Sequence, residues 1–113
     1  MIATNHLEGD MPLGDWRRLG TGEQLVVDVR EPDEFAAGHV PGAINLSLSQ
    51  LRRWYGELPR DRTLAVYCQV GQRGYYAVRF LLQHAYRAAN LSGGWTTYQA
   101  LRAAKMLGPA ASG

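Results

Sequence analysis

The sequence predicts an α/β sandwich built on a largely parallel sheet. Three observations predict it. Short apolar, β-branched runs alternate with stretches of helical period. One run, Leu64-Ala65-Val66-Tyr67-Cys68, is apolar throughout, as a strand covered on both faces must be. The 113 residues leave room for one compact domain and no second lobe.

Residues 1–24 carry Gly9, Pro12, Gly14, Gly20 and Gly22 with weak periodicity, and only Asp15-Trp16-Arg17-Arg18-Leu19 offers a short helix. Residues 1–15 therefore read as a flexible lead-in or linker, 16–106 as the domain and 107–113 as a flexible tail. Leu25-Val26-Val27-Asp28-Val29 is a strand ending in charge. Proline and three acids in Glu31-Pro32-Asp33-Glu34-Phe35-Ala36-Ala37 sit where a helix N-terminus favours them, and Gly38 ends that helix. Pro41-Gly42 turns the chain into a second extended stretch, Ala43-Ile44-Asn45-Leu46. Ser47 or Ser49 then caps a helix through Tyr55, with Leu48, Leu51 and Tyr55 on one face and Gly56 and Pro59 as its stop. Thr63 to Tyr67 is the buried strand. After Gly71-Gln72-Arg73-Gly74, the set Tyr76, Ala77, Phe80 and Leu81 marks the inner face of a helix ending near His84. Ala88-Ala89-Asn90-Leu91 is the last strand, Gly93-Gly94 a turn, and Trp95 to Lys105 a closing helix. Functional loops in such a sandwich lie at the carboxyl ends of the strands.

Composition narrows the function. With 46% hydrophobic and 19% charged residues the chain is of ordinary globular type, and its longest apolar run is far short of the ~18 residues a spanning helix needs. Met1-Ile2-Ala3-Thr4-Asn5 starts neither a signal nor a transit peptide, so a cytoplasmic protein without membrane attachment is expected. The 12 basic residues, 11 of them Arg, against 10 acids give a net charge of +2, a skew suited to forked recognition of anions. Arg17-Arg18 and Arg52-Arg53 form no basic run with interleaved aromatics, so nucleic acid is not an expected partner. The lone Cys68 excludes an internal disulfide and a cysteine zinc site, and His6, His39 and His84 share no ligand spacing. No metal or cofactor is expected; no G-x-G-x-x-G follows a strand to hold flavin or nicotinamide.

Cys68-Gln69-Val70-Gly71-Gln72-Arg73-Gly74 joins a buried strand to a helix, so its N–H groups can converge on one point with the helix dipole behind them. An ordinary thiol, pKa about 8.5, is only about 3% thiolate at pH 7, and making it mostly thiolate takes roughly 2.7 kcal/mol. A helix terminus offers about 0.3–1 kcal/mol, up to ~2 when partly buried. Oriented N–H groups or Arg73 must supply the remainder. Gly71 and Gly74 let the loop take positive φ and close around a sulfur atom. Free cysteine is also among the most buried residue types, so the residues themselves leave packing and reactivity both open.

Four separated motifs carry a resemblance: Asp28-Val29-Arg30 followed by Glu34-Phe35; Gly38-His39-Val40-Pro41-Gly42-Ala43-Ile44-Asn45; Tyr67 to Gly74; and Asn90-Leu91-Ser92-Gly93-Gly94-Trp95. In this order they resemble the rhodanese-like domain over about residues 16–104. The resemblance implies a bacterial-type single domain, a three-layer sandwich with a five-stranded, mostly parallel sheet and helices on both faces. It implies a sulfurtransferase that moves sulfane sulfur from thiosulfate, a persulfide or a polysulfide to a thiophilic acceptor such as cyanide or a thiol, through a persulfide on Cys68. Gln69, Val70, Gly71, Gln72, Arg73 and Gly74 would then bind substrate, with Gln69, Val70 and Gln72 as the wall that tunes donor choice. Asp28, bonded to Arg30 or to the turn at Gly42, would support the loop, and His39 would brace the His39-Val40-Pro41-Gly42 turn. Trp54 and Tyr55 either rim the mouth or belong to the core. The six residues from Cys68 to Arg73 match the sulfur-transfer members, while phosphatases and arsenate reductases of this fold use one more. A non-catalytic binding module is the other alternative. Cys68-Gln69-Val70-Gly71-x-Arg73-Gly74-Tyr75, with Asn5-x-Leu7-Glu8-Gly9-Asp10, further resembles the C-terminal rhodanese domain of coenzyme A-disulfide reductase and NADH oxidase-type flavoproteins, which would make a flavoprotein disulfide reductase domain a partner.

Overall fold

The computed structural model describes residues 10–11 and 24–104. Its elements run β1 (Asp10–Met11), β2 (Gln24–Asp28), α1 (Pro32–Ala37), β3 (Ile44–Asn45), α2 (Leu48–Trp54) with a 3₁₀ turn at Tyr55–Glu57, β4 (Thr63–Tyr67), α3 (Gln72–Gln83), β5 (Ala88–Leu91) and α4 (Gly94–Ala103). The five strands lie in the order β1-β5-β4-β2-β3. Every pairing is parallel. The short helix expected at Asp15–Leu19, the tail and the motif Asn5 to Gly9 lie outside the described residues.

The fifth strand comes from the stretch read as a lead-in: Asp10 and Met11 pair with Asn90 and Leu91 at the sheet edge. Two residues leave no visible period, and they are found only through the strand they pair with. The extended stretch at 43–46 shortens to Ile44–Asn45 for a related reason. Its outer residue Ile44 is exposed at the opposite edge, while Leu46 N–H already bonds the Asp28 carbonyl at 2.9 Å.

Burial follows the two faces of the sheet. On one, Val27, Leu64 and Val66 pack with Leu51 of α2, Ala77, Val78 and Leu81 of α3, and Cys68. On the other, Val26, Ala65, Tyr67 and Leu91 pack with Val40 and with Tyr98 of α4. α1 starts as its sequence demands, with a capping box between Glu31 and Glu34 and Pro32 in its first turn. α2 is capped in the same way by Ser47 and Gln50. Tyr76 departs from expectation: it is 54% exposed, and the inner face of α3 is instead Gly74, Ala77, Val78 and Leu81. The spacing allows either face, and β5 covers the one that includes Gly74. Among the described residues no helix is long and apolar enough to cross a membrane.

Strand order reverses between β2 and β4: β3 lies beyond β2, and β5 lies on the far side of β4. The loops leaving those two strands therefore diverge to opposite faces and open a crevice at their carboxyl ends. Asp28–Arg30 leave one strand there, and Cys68 leaves the other.

Candidate functional site

Cys68 follows the last residue of the central strand and is buried, 1% exposed. Three residues on, the Gly71 N–H points back and donates to Cys68 Sγ at 3.0 Å. This return requires Gly71 to adopt φ 114°, ψ −20°, where a side chain would be strained. α3 begins at the next residue with no side-chain cap, so the N–H groups of its first turn remain directed at the loop. The other side of the loop is seated on α4: Trp95 N–H donates to the Cys68 carbonyl at 2.8 Å and Thr96 N–H to the Gln69 carbonyl at 3.1 Å. Any side chain at Gly94 would meet the Cys68 carbonyl oxygen 2.3 Å away. Two helix N-termini thus grip one short loop by its carbonyls: α4 at Cys68 and Gln69, and α3 at Gly71, which accepts the Tyr75 N–H at 2.9 Å.

Gly74, expected to take positive φ, does not; it is helical within α3. Its lack of a side chain serves packing: an added Cβ would lie 2.2 Å from Asn90 Oδ1.

Arg73, the second residue of α3, spans the crevice, with Nη1 and Nη2 donating to the Glu34 carboxylate of α1 at 2.9 and 3.2 Å. The hydrogen bonds from Arg73 hold Glu34 down to a pKa of about 2, and Glu34 in turn raises Arg73. The guanidinium is still near enough to interact electrostatically with Cys68. The partner that holds the Arg73 guanidinium in place is thus a carboxylate.

The expected wall divides. Val70 is exposed and, with Gln72, Tyr76, Asn90 and Gly93, lines a cavity of about 390 Å³ beside the loop. Gln69 is tied elsewhere: Nε2 donates to Thr96 Oγ1 at 3.2 Å, and Oε1 accepts from Arg30 Nη1 at 3.4 Å. Trp54 and Tyr55 do not line that cavity. Trp54 is 43% exposed under Arg53, and Tyr55 packs edge-on against Phe80.

Asp28 and Arg30 form a buried pair. Arg30 Nη2 and Nε donate to the carboxylate at 2.8 and 3.1 Å, and the Arg30 backbone N–H adds a bond at 2.8 Å. Burial works against the Arg30 charge, but the bonds and charge of Asp28 outweigh it and raise its pKa. The same guanidinium donates to the Gly38 carbonyl at 2.6 Å and lies 4.9 Å from the Trp95 ring centroid. Asp28 therefore takes Arg30, not the Gly42 turn; that turn is closed by Ala43 N–H to the Val40 carbonyl at 3.0 Å. Nearby, burial first and Asp28 second hold the Tyr67 phenol above its ordinary range, and its oxygen accepts the Val40 N–H at 3.0 Å. His39 stacks on Phe35 at 3.6 Å, and its Nδ1 bonds the Phe35 carbonyl at 2.8 Å. It lies at the end of α1, away from the sulfur's direct partners.

Sequence reasoning missed Glu34, Asn90 and Thr96. The signal for Glu34 was its place in the α1 capping box, which accounts for an acid there without a second role. Asn90 is a buried polar residue in an otherwise apolar strand, and that is the pattern that marks a side chain with a specific task.

A parallel α/β sheet that presents one buried thiol in a backbone-lined loop at its switch point defines a class of domain. Residues 16–101 match the family model described as the rhodanese-like domain, and the chain belongs to that family. It is 39% identical over 79 residues to a protein named sulfurtransferase from Allochromatium vinosum, a match covering 69% of this chain and 74% of that protein. Among solved structures it is similar to the reduced Bacillus anthracis CoADR-RHD, with 32% identity, a TM-score of 0.77 and coverage of 87% of this chain. It spans only 18% of that longer chain. A human single-domain sulfurtransferase has 28% identity and a TM-score of 0.72, with coverage of 81% of this chain and 96% of that one.

Proposed function

We propose that this domain is a sulfurtransferase that carries sulfane sulfur as a persulfide on Cys68. The observation that carries the reading is the Gly71 N–H directed at Cys68 Sγ at 3.0 Å, at the uncapped start of α3. A backbone donor placed there favours negative charge on sulfur over the neutral thiol. In the first half-reaction the Cys68 thiolate attacks the outer sulfur of thiosulfate; the donor S–S bond breaks, sulfite leaves with the electron pair, and Cys68–S–S⁻ remains. In the second, cyanide or a thiolate attacks that outer sulfur and Cys68 leaves as thiolate. Donors already fixed at the loop stabilise the charge in both steps without reorganising. Arg73 adds a cation at the mouth, and Asp28–Arg30 holds the loop from beneath. Similarity to CoADR-RHD, of which this chain spans 18%, supports a disulfide reductase domain as a partner.

Intact mass after incubation with thiosulfate or a polysulfide tests the reading. A gain of one sulfur atom, ~32 Da, is expected on the wild-type protein and none on Cys68→Ser, whose fold should melt as the wild type does. Full thiosulfate:cyanide activity in a folded Cys68→Ser protein would sink the mechanism.

A further inference from the structure

The chain invests a buried amide where an apolar residue would pack. Asn90, third residue of β5, is 3% exposed, and its register partner on the central strand is Val66. Paired residues share a face, and residues two apart along a strand share one too. Asn90 therefore lies on the same side of the sheet as Val66 and Cys68, beneath the first turn of α3. Its Nδ2 donates to the Gly71 carbonyl at 3.0 Å. That carbonyl also accepts the Tyr75 N–H at 2.9 Å, and the N–H of the same residue is the group that reaches Cys68 Sγ. Turned over, the amide would set oxygen against oxygen, so the bond fixes its orientation. The orientation leaves Oδ1 buried without a partner. A buried polar atom left unsatisfied is unfavourable, and its place here is kept open by Gly74, whose added Cβ would come within 2.2 Å of it.

We infer that Asn90 is a positioning residue for the sulfur loop: by holding the Gly71 carbonyl, it fixes the Gly71–Gln72 peptide and so, through the strained Gly71 φ and ψ, restrains the preceding Val70–Gly71 peptide whose N–H faces the Cys68 sulfur. Glycine at φ 114° has several alternative conformations, and a peptide that rotates away loses the donor on sulfur. The helix bond from Tyr75 fixes one direction of the carbonyl; the bond from β5 ties it to the sheet. Asn90 and Gly74 act as one unit, because the amide fits only against a residue without a side chain. The inference rests on the reading of Cys68 as the sulfur carrier.

Asn90→Leu is the decisive variant. It is close to Asn in shape, cannot donate, and removes the unpartnered oxygen. A purely structural role predicts that activity follows stability. Positioning predicts that the two separate: a melting temperature equal to or above the wild type, with a thiosulfate:cyanide kcat roughly tenfold lower and a KM for thiosulfate near the wild-type value, the size expected when a group that holds a donor is removed and not the donor itself. Reaction of Cys68 with iodoacetamide at pH 7 should slow by a similar factor. Gly74→Ala, which displaces the amide while leaving Asn90 in place, should give the same losses, and the double variant should be little worse than either alone. Wild-type kcat and alkylation rate in a folded Asn90→Leu protein would overturn the assignment, as would fully additive losses in the double variant. If the wild type itself gains no sulfur by mass, the carrier reading fails; if it gains sulfur and Asn90→Leu reacts as fast, only the role of Asn90 fails.

Discussion

Glu34 and Arg73 face each other across the mouth of the crevice, and each is about one-third exposed. Water screens such a pair, so it is worth roughly 0.2–1 kcal/mol. Its larger effect is on ligands. An anionic donor approaching Cys68 meets a guanidinium already occupied by a carboxylate, and Glu34→Gln removes the competing charge while a glutamine still serves the α1 capping box. The KM for thiosulfate should fall by at most about fivefold, the factor that the upper end of such an energy represents, with little change for a neutral donor. Steady-state kinetics with both donors checks this, and equal changes for the two would assign the pair to folding alone. The pH dependence has a definite sign. Glu34 titrates at about 2 in the fold against 4.5 ordinarily, so the pair's contribution is complete above about pH 4.5 and disappears as pH falls through about 2. Urea unfolding of wild type and Glu34→Gln should differ at pH 7 and converge toward pH 2. Cys68 and its loop stood out in the sequence because they fall in an ordered set of motifs that resembles a known family, whereas one thiol between a buried strand and two glycines leaves packing and reactivity both open. The sequence did not reveal Glu34, because a helix cap fully explains an acid at that position, nor Asn90, because the partner that gives it a role is far away in sequence.

Among the elements, the segment after β2 and the start of α4 do for the loop what no single side chain does. Arg30 joins the end of β2 to the Gly38 carbonyl after α1, to Gln69 in the loop and to the Trp95 ring at the first turn of α4. Its partner Asp28 is fully buried, so removing Arg30 leaves an uncompensated charge. Arg30→Met should destabilise the domain by about 3–5 kcal/mol, whereas replacing both residues with apolar ones of similar volume should recover much of that loss. Denaturant melts of the two single variants and the double variant measure it; additive losses would mean that the pair is not a unit. The major elements were visible in the sequence for simple reasons. β2, β4 and β5 are apolar runs, and α1 and α2 carry cap residues. What was hidden depended on tertiary pairing: β1 exists only as a two-residue partner of β5. Tyr76 carries a helix-compatible position but faces outward, because β5 occupies the side of α3 where Gly74 permits close approach.

At the scale of the whole molecule, the sheet order sets how far the Cys68 loop can open. The loop leaves the middle strand, its carbonyls are anchored by α4 on one face, and its Gly71 peptide is anchored to β5 and α3 on the other. A loop clamped on both sides cannot widen to take a larger ligand. The span of six residues from Cys68 to Arg73 should therefore admit a single sulfur while crowding a phosphoryl group with its three equatorial oxygens. Sulfur transfer should be measurable and hydrolysis of aryl phosphates negligible, and inorganic phosphate should leave the melting temperature unchanged at concentrations where a bound anion would raise it. Inserting one glycine between Gly71 and Gln72 tests the clamp directly. Lengthening a loop by one residue costs little entropy, but here it separates the donor on Cys68 from the start of α3. The insertion should lower persulfide loading by about tenfold or more and make the melting temperature respond to phosphate or arsenate, as expected when an oriented donor is lost and the ring opens. If the wild-type domain hydrolyses aryl phosphates as readily as it transfers sulfur, or the insertion alters neither loading nor phosphate response, loop span does not select the ligand. Selection would then fall to Val70 and Gln72, the two expected wall residues that line the cavity beside the loop.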